Sequence, residues 1–370
     1  MPTNEARSVS TRLQQHVAAV IAQAGGWLPF DRYMALALYQ PGLGYYANGG
    51  LKFGSMPASG SDFVTAPELS PLFGRTLAVQ VAQAGQALGA ADYEVWEFGA
   101  GSGALAGQLL EALGDAVRGY HVVEVSAELR QRQQERLARW AGRVHWHDAL
   151  PDRFEGVVVG NEVLDAMPVQ LLHWDGSQWL ERGVVSTGEG FDWADRPTPL
   201  RPPVEMDFVP GTVVEVHPQA GAFIATLAQR LARGAAFFID YGFPEVEYYH
   251  PQRTGGTLMC HRAHRAEAGE RAPLEDIGLK DITAHVNFSA IALAGQDAGL
   301  DVIGYATQAH FLMNCGLLSF LHGAGPREIA AVQKLLNEHE MGELFKVLGF
   351  ARAIDIVPVG FVSGDRRHTL

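Results

Sequence analysis

The stretch Glu97-Phe98-Gly99-Ala100-Gly101-Ser102-Gly103 decides how this 370-residue chain reads. A short apolar run, Tyr93–Phe98, ends here, the glycines turn the chain, and a helical stretch follows from Ala104 to Leu113. Glycine stands where a backbone must take positive φ or come close to a ligand. The N-terminus of the following helix points free N–H groups at that ligand. The same turn fits the dinucleotide pattern G-x-G-x-x-A through Gly99, Gly101 and Ala104. On its own it therefore leaves three readings: a nucleoside with a methionine moiety, a dinucleotide, or a tight strand–helix turn without ligand.

Neighbouring residues narrow the choice. Glu97 precedes Gly99 by two positions; a carboxylate there meets the amino group of a methionine moiety, directly or through water, and is unwelcome beside a pyrophosphate. Glu124 ends a second apolar run, and an acid at that place accepts hydrogen bonds from ribose hydroxyls. This points to a nucleoside without naming one. Asp148 and Ala149 follow a third run, where Asp148 either accepts from an adenine amino group or is an ordinary loop residue. The fourth run leads into Asn161-Glu162-Val163-Leu164-Asp165-Ala166-Met167-Pro168. Ligands of open α/β sheets bind at the carboxyl ends of strands, so Glu162 and Asp165 are the candidate catalytic pair. Two carboxylates can aim a guanidinium, which carries five donors and keeps its proton in water. The same pair also suits the first turn of a helix, where the dipole favours acids.

Outward from the glycine loop, strands are expected at Tyr93–Phe98, Tyr120–Val125, Arg143–His147, Gly156–Gly160 and Ala235–Asp240, with a last one at 350–359. Helices run to about Trp140 and from Gln219 to Leu231. Short continuous apolar strands alternating with helices mean a parallel sheet covered on both faces. The expected fold is α/β: a Rossmann-like sheet over 91–370 with insertions at about 169–212 and 243–300, preceded by a helical cap and loop over 1–90. The first insertion alternates like strands around Asp175-Gly176, a hairpin signal. Residues 8–24 form an amphipathic helix with Leu13, Val17, Val20 and Ile21 on one face.

Composition excludes several classes. The net charge of −13 repels phosphate backbones, so no nucleic-acid partner is expected; a cationic or neutral acceptor is easier to attract, and plain solubility explains the acidity equally well. Two cysteines, Cys260 and Cys315, are too few for a disulfide framework and fit a reducing compartment. No apolar run reaches the roughly 20 residues that a membrane span needs, and a cytoplasmic location is expected. Cys260-His261-x-x-His264 could ligate a metal but lacks a third or fourth ligand at usual spacing, so no metal is expected.

Many ordered stretches resemble the MidA-like methyltransferase family. They are Tyr39-Gln-Pro-Gly-Leu-Gly-Tyr-Tyr46, Asp62-Phe-Val-Thr-Ala-Pro-Glu-Leu-Ser70 with Phe73-Gly74, Glu97–Gly103, Glu124-Val125-Ser126, Asn161–Pro168, Ile239-Asp-Tyr-Gly242, Gly256-Thr-Leu258, Asp281-Ile-Thr-Ala-His-Val286 and Thr307-Gln308. Ser61 and Asn287 depart from the family pattern, which has Gly and Asp there. The resemblance implies a class I methyltransferase fold that uses S-adenosylmethionine and releases S-adenosylhomocysteine. It implies that the loop around Thr65, Pro67 and Glu68 closes over the cofactor. Glu97, Gly99, Ala100, Gly101, Gly103, Glu124, Val125, Ser126, Asp148, Ala149 and Asn161 complete the expected cofactor set. The implied acceptor, taken from a mitochondrial member, is an arginine on the quinone-site subunit of respiratory complex I. A homodimer is allowed. The competing readings are a cofactor-binding assembly factor without activity and an NAD(P)-dependent oxidoreductase.

Overall fold

The computed structural model describes residues 4–48, 65–262, 265–267 and 269–370. They form two compact units, each drawn from separated stretches of chain. One collects described residues of 1–63, 165–220 and 245–285; the other collects those of 64–164, 221–244 and 286–370.

The second unit holds the central sheet. Its strands are β1 (Tyr93–Phe98), β2 (Val117–Val123), β3 (Val144–His147), β4 (Phe154–Asn161), β5 (Leu231–Phe243), β6 (Asp301–Thr307) and β7 (Phe345–Arg352). They lie in the order β3-β2-β1-β4-β5-β7-β6. The first five are parallel, and β7 runs antiparallel to both β5 and β6. A two-residue strand, Val286–Asn287, pairs with Gly242 and Phe243 at the end of β5. The chain works outward from β1 to β3, then returns to β4 on the other side of β1. That reversal opens a crevice at the carboxyl ends of β1 and β4, where α/β sheets take their ligands.

Sequence explains this sheet directly. Val157, Val158 and Val159 are all fully buried, so β4 is covered on both faces and reads as a continuous apolar run rather than an alternating one. Helices α1 (Pro71–Gln86) and α2 (Ala104–Leu113) put Leu77, Val81, Leu105 and Leu109 into one core with Val95, Val157 and Phe237. Further helices are α3 (Ala127–Arg136), α4 (Pro218–Arg230) and α5 (Phe288–Asp297). Ser70, Ser126 and Asn287 cap α1, α3 and α5, each side-chain oxygen accepting a backbone N–H of the first turn. Asn287 thus keeps the capping function that Asp would serve equally well.

Two expectations about this sheet need correction. The last strand is Phe345–Arg352, not 350–359, because Ala353 turns the chain into the left-handed region at φ 52°. Strand β6 was not anticipated. Its Gly304 leaves room for the Phe361 ring, which would stand 2.1 Å from any Cβ there, and that glycine breaks the apolar pattern.

The first unit holds an antiparallel five-stranded sheet and the helices Asn4–Gln23, Phe30–Tyr39 and Glu245–Tyr248. Strand Trp179–Thr187 pairs with Leu28–Pro29, Gln170–Trp174 and Gly190–Pro197, and Val213–Val216 extends the sheet beyond Gln170–Trp174. The expected hairpin turn is present: the Asp175 carboxylate accepts the N–H groups of Ser177 and Gln178. Leu13, Val17 and Ile21 of the first helix are buried with Tyr33, Leu171 and Val184. A second, three-stranded sheet joins Arg265–Glu267, Met259–Arg262 and Asp281–Thr283. Residues 65–90 therefore group with the central sheet rather than with residues 4–48, and the end of the 243–300 stretch, from Val286 on, does so too.

Leu109 of α2 has no exposed surface. Leu109→Ala is expected to cost about 2–5 kcal/mol, read as a lower urea midpoint with an unchanged m-value.

Candidate active site

The glycine loop leaves β1 with Gly99, Gly101 and Gly103 at φ 60°, 53° and 78°, all in the region that side chains disfavour. A Cβ on Gly99 would stand 3.0 Å from the Val163 side chain, so the loop lies directly against the end of β4. Gly103 serves as N-cap of α2, and Ala100 is buried. The stretch from Thr65 to Leu69 is tied to this loop. The Ser102 hydroxyl donates to the Glu68 carboxylate, and Arg136 reaches both Glu68 Oε1 and Ser102 Oγ at 2.8 Å. Gln108 donates to the Pro67 carbonyl at 2.7 Å. Thr65 is half-buried at the start of this stretch, while Asp62 and the rest of the expected covering loop up to residue 64 lie outside the described residues.

Glu97 is buried and accepts a hydrogen bond from the Tyr120 hydroxyl at 2.7 Å. Burial pushes its carboxyl up to about 8; the Tyr120 bond opposes this, and the charge of Glu124 adds to it. Glu124 is also buried, and burial raises its carboxyl despite the Ser126 N–H at 2.8 Å and Gln133 Nε2 at 3.2 Å. Beside it Val125 is 75% exposed, an apolar face open next to the acid. Asp148 is exposed and paired with Arg130 at 2.5 Å, and Ala149 is exposed too.

The end of β4 is the most constrained part of the site. Glu162 stands at φ 54°, a costly conformation for a residue with a Cβ. Its N–H is held by the Ile239 carbonyl at 2.9 Å. The next two N–H groups, of Val163 and Leu164, donate to Asp240 Oδ2 at 3.1 and 2.9 Å. Asp240 is buried at the end of β5 and also takes the Tyr241 N–H. Asn161 Nδ2 donates to Glu162 Oε1 at 3.0 Å, while Asn161 Oδ1 is buried with no hydrogen-bond partner among the described residues.

No helix begins at Glu162, so the expectation that Glu162 and Asp165 occupy a first helical turn fails; the left-handed backbone at Glu162 precludes it. Asp165 belongs to the other unit. There it is buried, and its carbonyl accepts the Ala284 N–H at 3.0 Å. Its surroundings include Tyr39, which donates to the Ala166 carbonyl at 2.7 Å, and Tyr46, which donates to Asp281 at 2.7 Å. The two tyrosine rings stack at 5.5 Å. Burial, then the charges of Asp281 and Asp165, push the Tyr46 phenol far up.

Sequence reasoning assigned no role to Asp240, Gln133, Tyr46 or Asp281. Three of these lie in stretches quoted above for their family resemblance; Gln133 carried no signal. Among the described residues no three His, Cys, Asp or Glu side chains are grouped to hold a metal. Of the candidate ligands Cys260, His261 and His264, His264 lies outside them, and Cys260 is buried, its thiol pushed up to about 12 by burial. No described helix is long and apolar enough to cross a membrane.

The model of an S-adenosyl-L-methionine-dependent methyltransferase family matches residues 76–306. The chain belongs to this family. A crystal structure of a protein from Burkholderia thailandensis bound to S-adenosyl-homocysteine is 52% identical, with TM-score 0.95, and covers 100% of this chain and 99% of its own. The mitochondrial protein arginine methyltransferase NDUFAF7 of Danio rerio is 29% identical over 93% of this chain and 89% of its own length. The Homo sapiens protein of the same name is 28% identical over 90% and 82%. The methyltransferase is thus an enzyme that uses S-adenosylmethionine, and the sheet order β3-β2-β1-β4-β5-β7-β6 is its working scaffold.

The state of Glu97 can be read from stability. A carboxyl raised to about 8 keeps its proton in the folded chain, while the unfolded chain releases it above its ordinary value of 4.5. Stability therefore falls as pH rises from about 4.5 to about 8. In Glu97→Gln this decline should be shallower, by at most about 1.4 kcal/mol per pH unit, in urea unfolding at a series of pH values. An unchanged slope would mean that Glu97 is ionised in the folded methyltransferase.

Proposed function

We propose that this methyltransferase acts on an arginine guanidinium of a partner protein. The observation that carries the proposal is the end of β4: a strained, rigidly held Glu162 beside the glycine loop. Strain at a position fixed by three backbone hydrogen bonds is kept where it aims a group. The relatives named protein arginine methyltransferases support the acceptor class.

The residues of the crevice suit the cofactor chemically. Buried Asn161 Oδ1 needs a donor, exposed Val125 offers an apolar face for a base, and Glu124 presents acceptors for ribose hydroxyls. An ammonium group beside Glu97 would favour release of its proton and pair with the carboxylate, and Gly99, Ala100, Gly101 and Gly103 let the backbone approach. Thr65, Pro67 and Glu68 cover the loop, Ser126 fixes Glu124, and Asp148 with Ala149 borders the base. When bound, S-adenosylmethionine supplies an electrophilic methyl group on sulfur.

The protein's own task is to present a nitrogen lone pair. A guanidinium in water has none free. Glu162 would accept guanidinium N–H groups, one of them on the nitrogen that takes the methyl, and would receive that nitrogen's proton as the N–C bond forms and the S–C bond breaks to leave S-adenosylhomocysteine. The quinone-site subunit of complex I is the acceptor to test first.

Transfer of labelled methyl to that subunit, or to an arginine peptide cut from it, should fall by about 10²–10⁴ in Glu162→Gln, the range of a lost general base. Calorimetric affinity for S-adenosylhomocysteine should stay within about threefold, since the amide keeps the shape of the side chain. Full transfer in Glu162→Gln would overturn the assigned role. In Gly101→Val, a β-branched side chain at positive φ should abolish S-adenosylhomocysteine binding.

A further inference from the structure

We propose that Gln133 is a positioning residue for the cofactor: it fixes the Glu124 carboxylate and the glycine loop together, so nucleoside affinity depends on an amide that does not touch the nucleoside. The inference rests on the reading of Glu124 as the ribose acceptor.

Gln133 lies on α3 with no exposed surface. Its Nε2 stands 3.0 Å from the Gly101 carbonyl oxygen and 3.2 Å from Glu124 Oε2. Its Oε1 accepts the Trp146 indole N–H at 3.0 Å. A primary amide has two N–H donors and one carbonyl, and here all are used. The partners come from the loop after β1, the end of β2 and β3, so one side chain joins three carboxyl-end segments of the sheet.

Nothing in the packing demands an amide at this position. Leu129 and Leu137 beside it on the same face are buried and apolar, and burying an amide costs free energy unless every polar atom finds a partner. An apolar side chain of equal length would fill the space. What the amide adds is direction. The terminal torsion of a Glu side chain is broad, so a lone buried carboxylate could turn. The Ser126 N–H holds Glu124 Oε1 at 2.8 Å, and Gln133 holds Oε2. The Val125 N–H adds to this hold, so the carboxylate is kept in one orientation. At the same time the Gly101 carbonyl, in the middle of the left-handed loop, is held from behind.

The test uses the full chain and calorimetry with two ligands, S-adenosylhomocysteine and an analogue lacking both ribose hydroxyls. Gln133→Met should weaken the parent compound roughly tenfold more than the analogue, the scale of one hydrogen bond to a charged group. The KM for S-adenosylmethionine should rise while kcat at saturation changes little. Gln133→Glu supplies a second readout: the introduced carboxyl can donate to Glu124 only when protonated, so affinity should be weak at pH 8.5 and recover toward pH 6. Equal losses for both ligands, or no loss, would overturn the proposal. Glu124→Gln is measured alongside. If it leaves binding intact, the ribose reading itself fails; if it weakens binding while Gln133→Met does not, only the positioning role falls. Should Gln133→Met not fold, Trp146→Phe removes the donor that orients the amide and should show the same ligand preference at smaller size; its absence would count equally against the inference.

Discussion

The carboxylate of Asp240 is the interaction on which the rest of the site depends. It is buried at the end of β5 and takes the N–H groups of Val163, Leu164 and Tyr241. A buried carboxyl is tolerated only when it is hydrogen-bonded, and here three backbone N–H groups bond to it. The bonds run from one central strand to the turn leaving its neighbour, so the ends of β4 and β5 cannot shift independently. This makes the left-handed conformation at Glu162 sustainable. It also holds Val163 against Gly99, which connects the turn to the glycine loop. Apolar burial builds the sheet; this one carboxylate sets the shape of its rim.

Much of the fold was legible because its signals are local. The run Tyr93–Phe98, the glycines and Ala104–Leu113 appear in the structure at the residues expected. The valines of β4 identified a strand buried on both faces. Two features that depend on distant partners were not legible. Strand β6 carries a glycine that makes sense only beside Phe361, and the last strand stops at Ala353 for a backbone reason that no apolar pattern records.

The site divides in the same way. Acids at strand ends are visible because position gives them away: Glu97, Glu124 and Glu162 all follow apolar runs. The groups that hold them are invisible, since Gln133 is one polar residue in a helix full of them, AELRQRQQER. Only the fold brings it beside Gly101 and Trp146. Asp165 shows a subtler failure. Three residues from Glu162 in sequence, it was read as the same element, but a turn that begins in the left-handed region sends the chain into another compact unit.

The way the chain divides between those units governs how it can be made. Their boundaries fall after residues 63, 164, 220, 244 and 285, so neither unit is a continuous piece of polypeptide. Strand β7, at Phe345–Arg352, lies inside the sheet between β5 and β6 rather than at an edge. During synthesis the parallel strands β1 to β5 emerge first, and residues 234–241 of β5 wait for their antiparallel partner until Phe345–Arg352 has been made. Long-range pairing of this kind is slow and leaves strand edges open to wrong partners. The nascent chain therefore passes through a long interval in which its most apolar strands are complete and their covering strand is not, and this interval is where chaperones would be needed most.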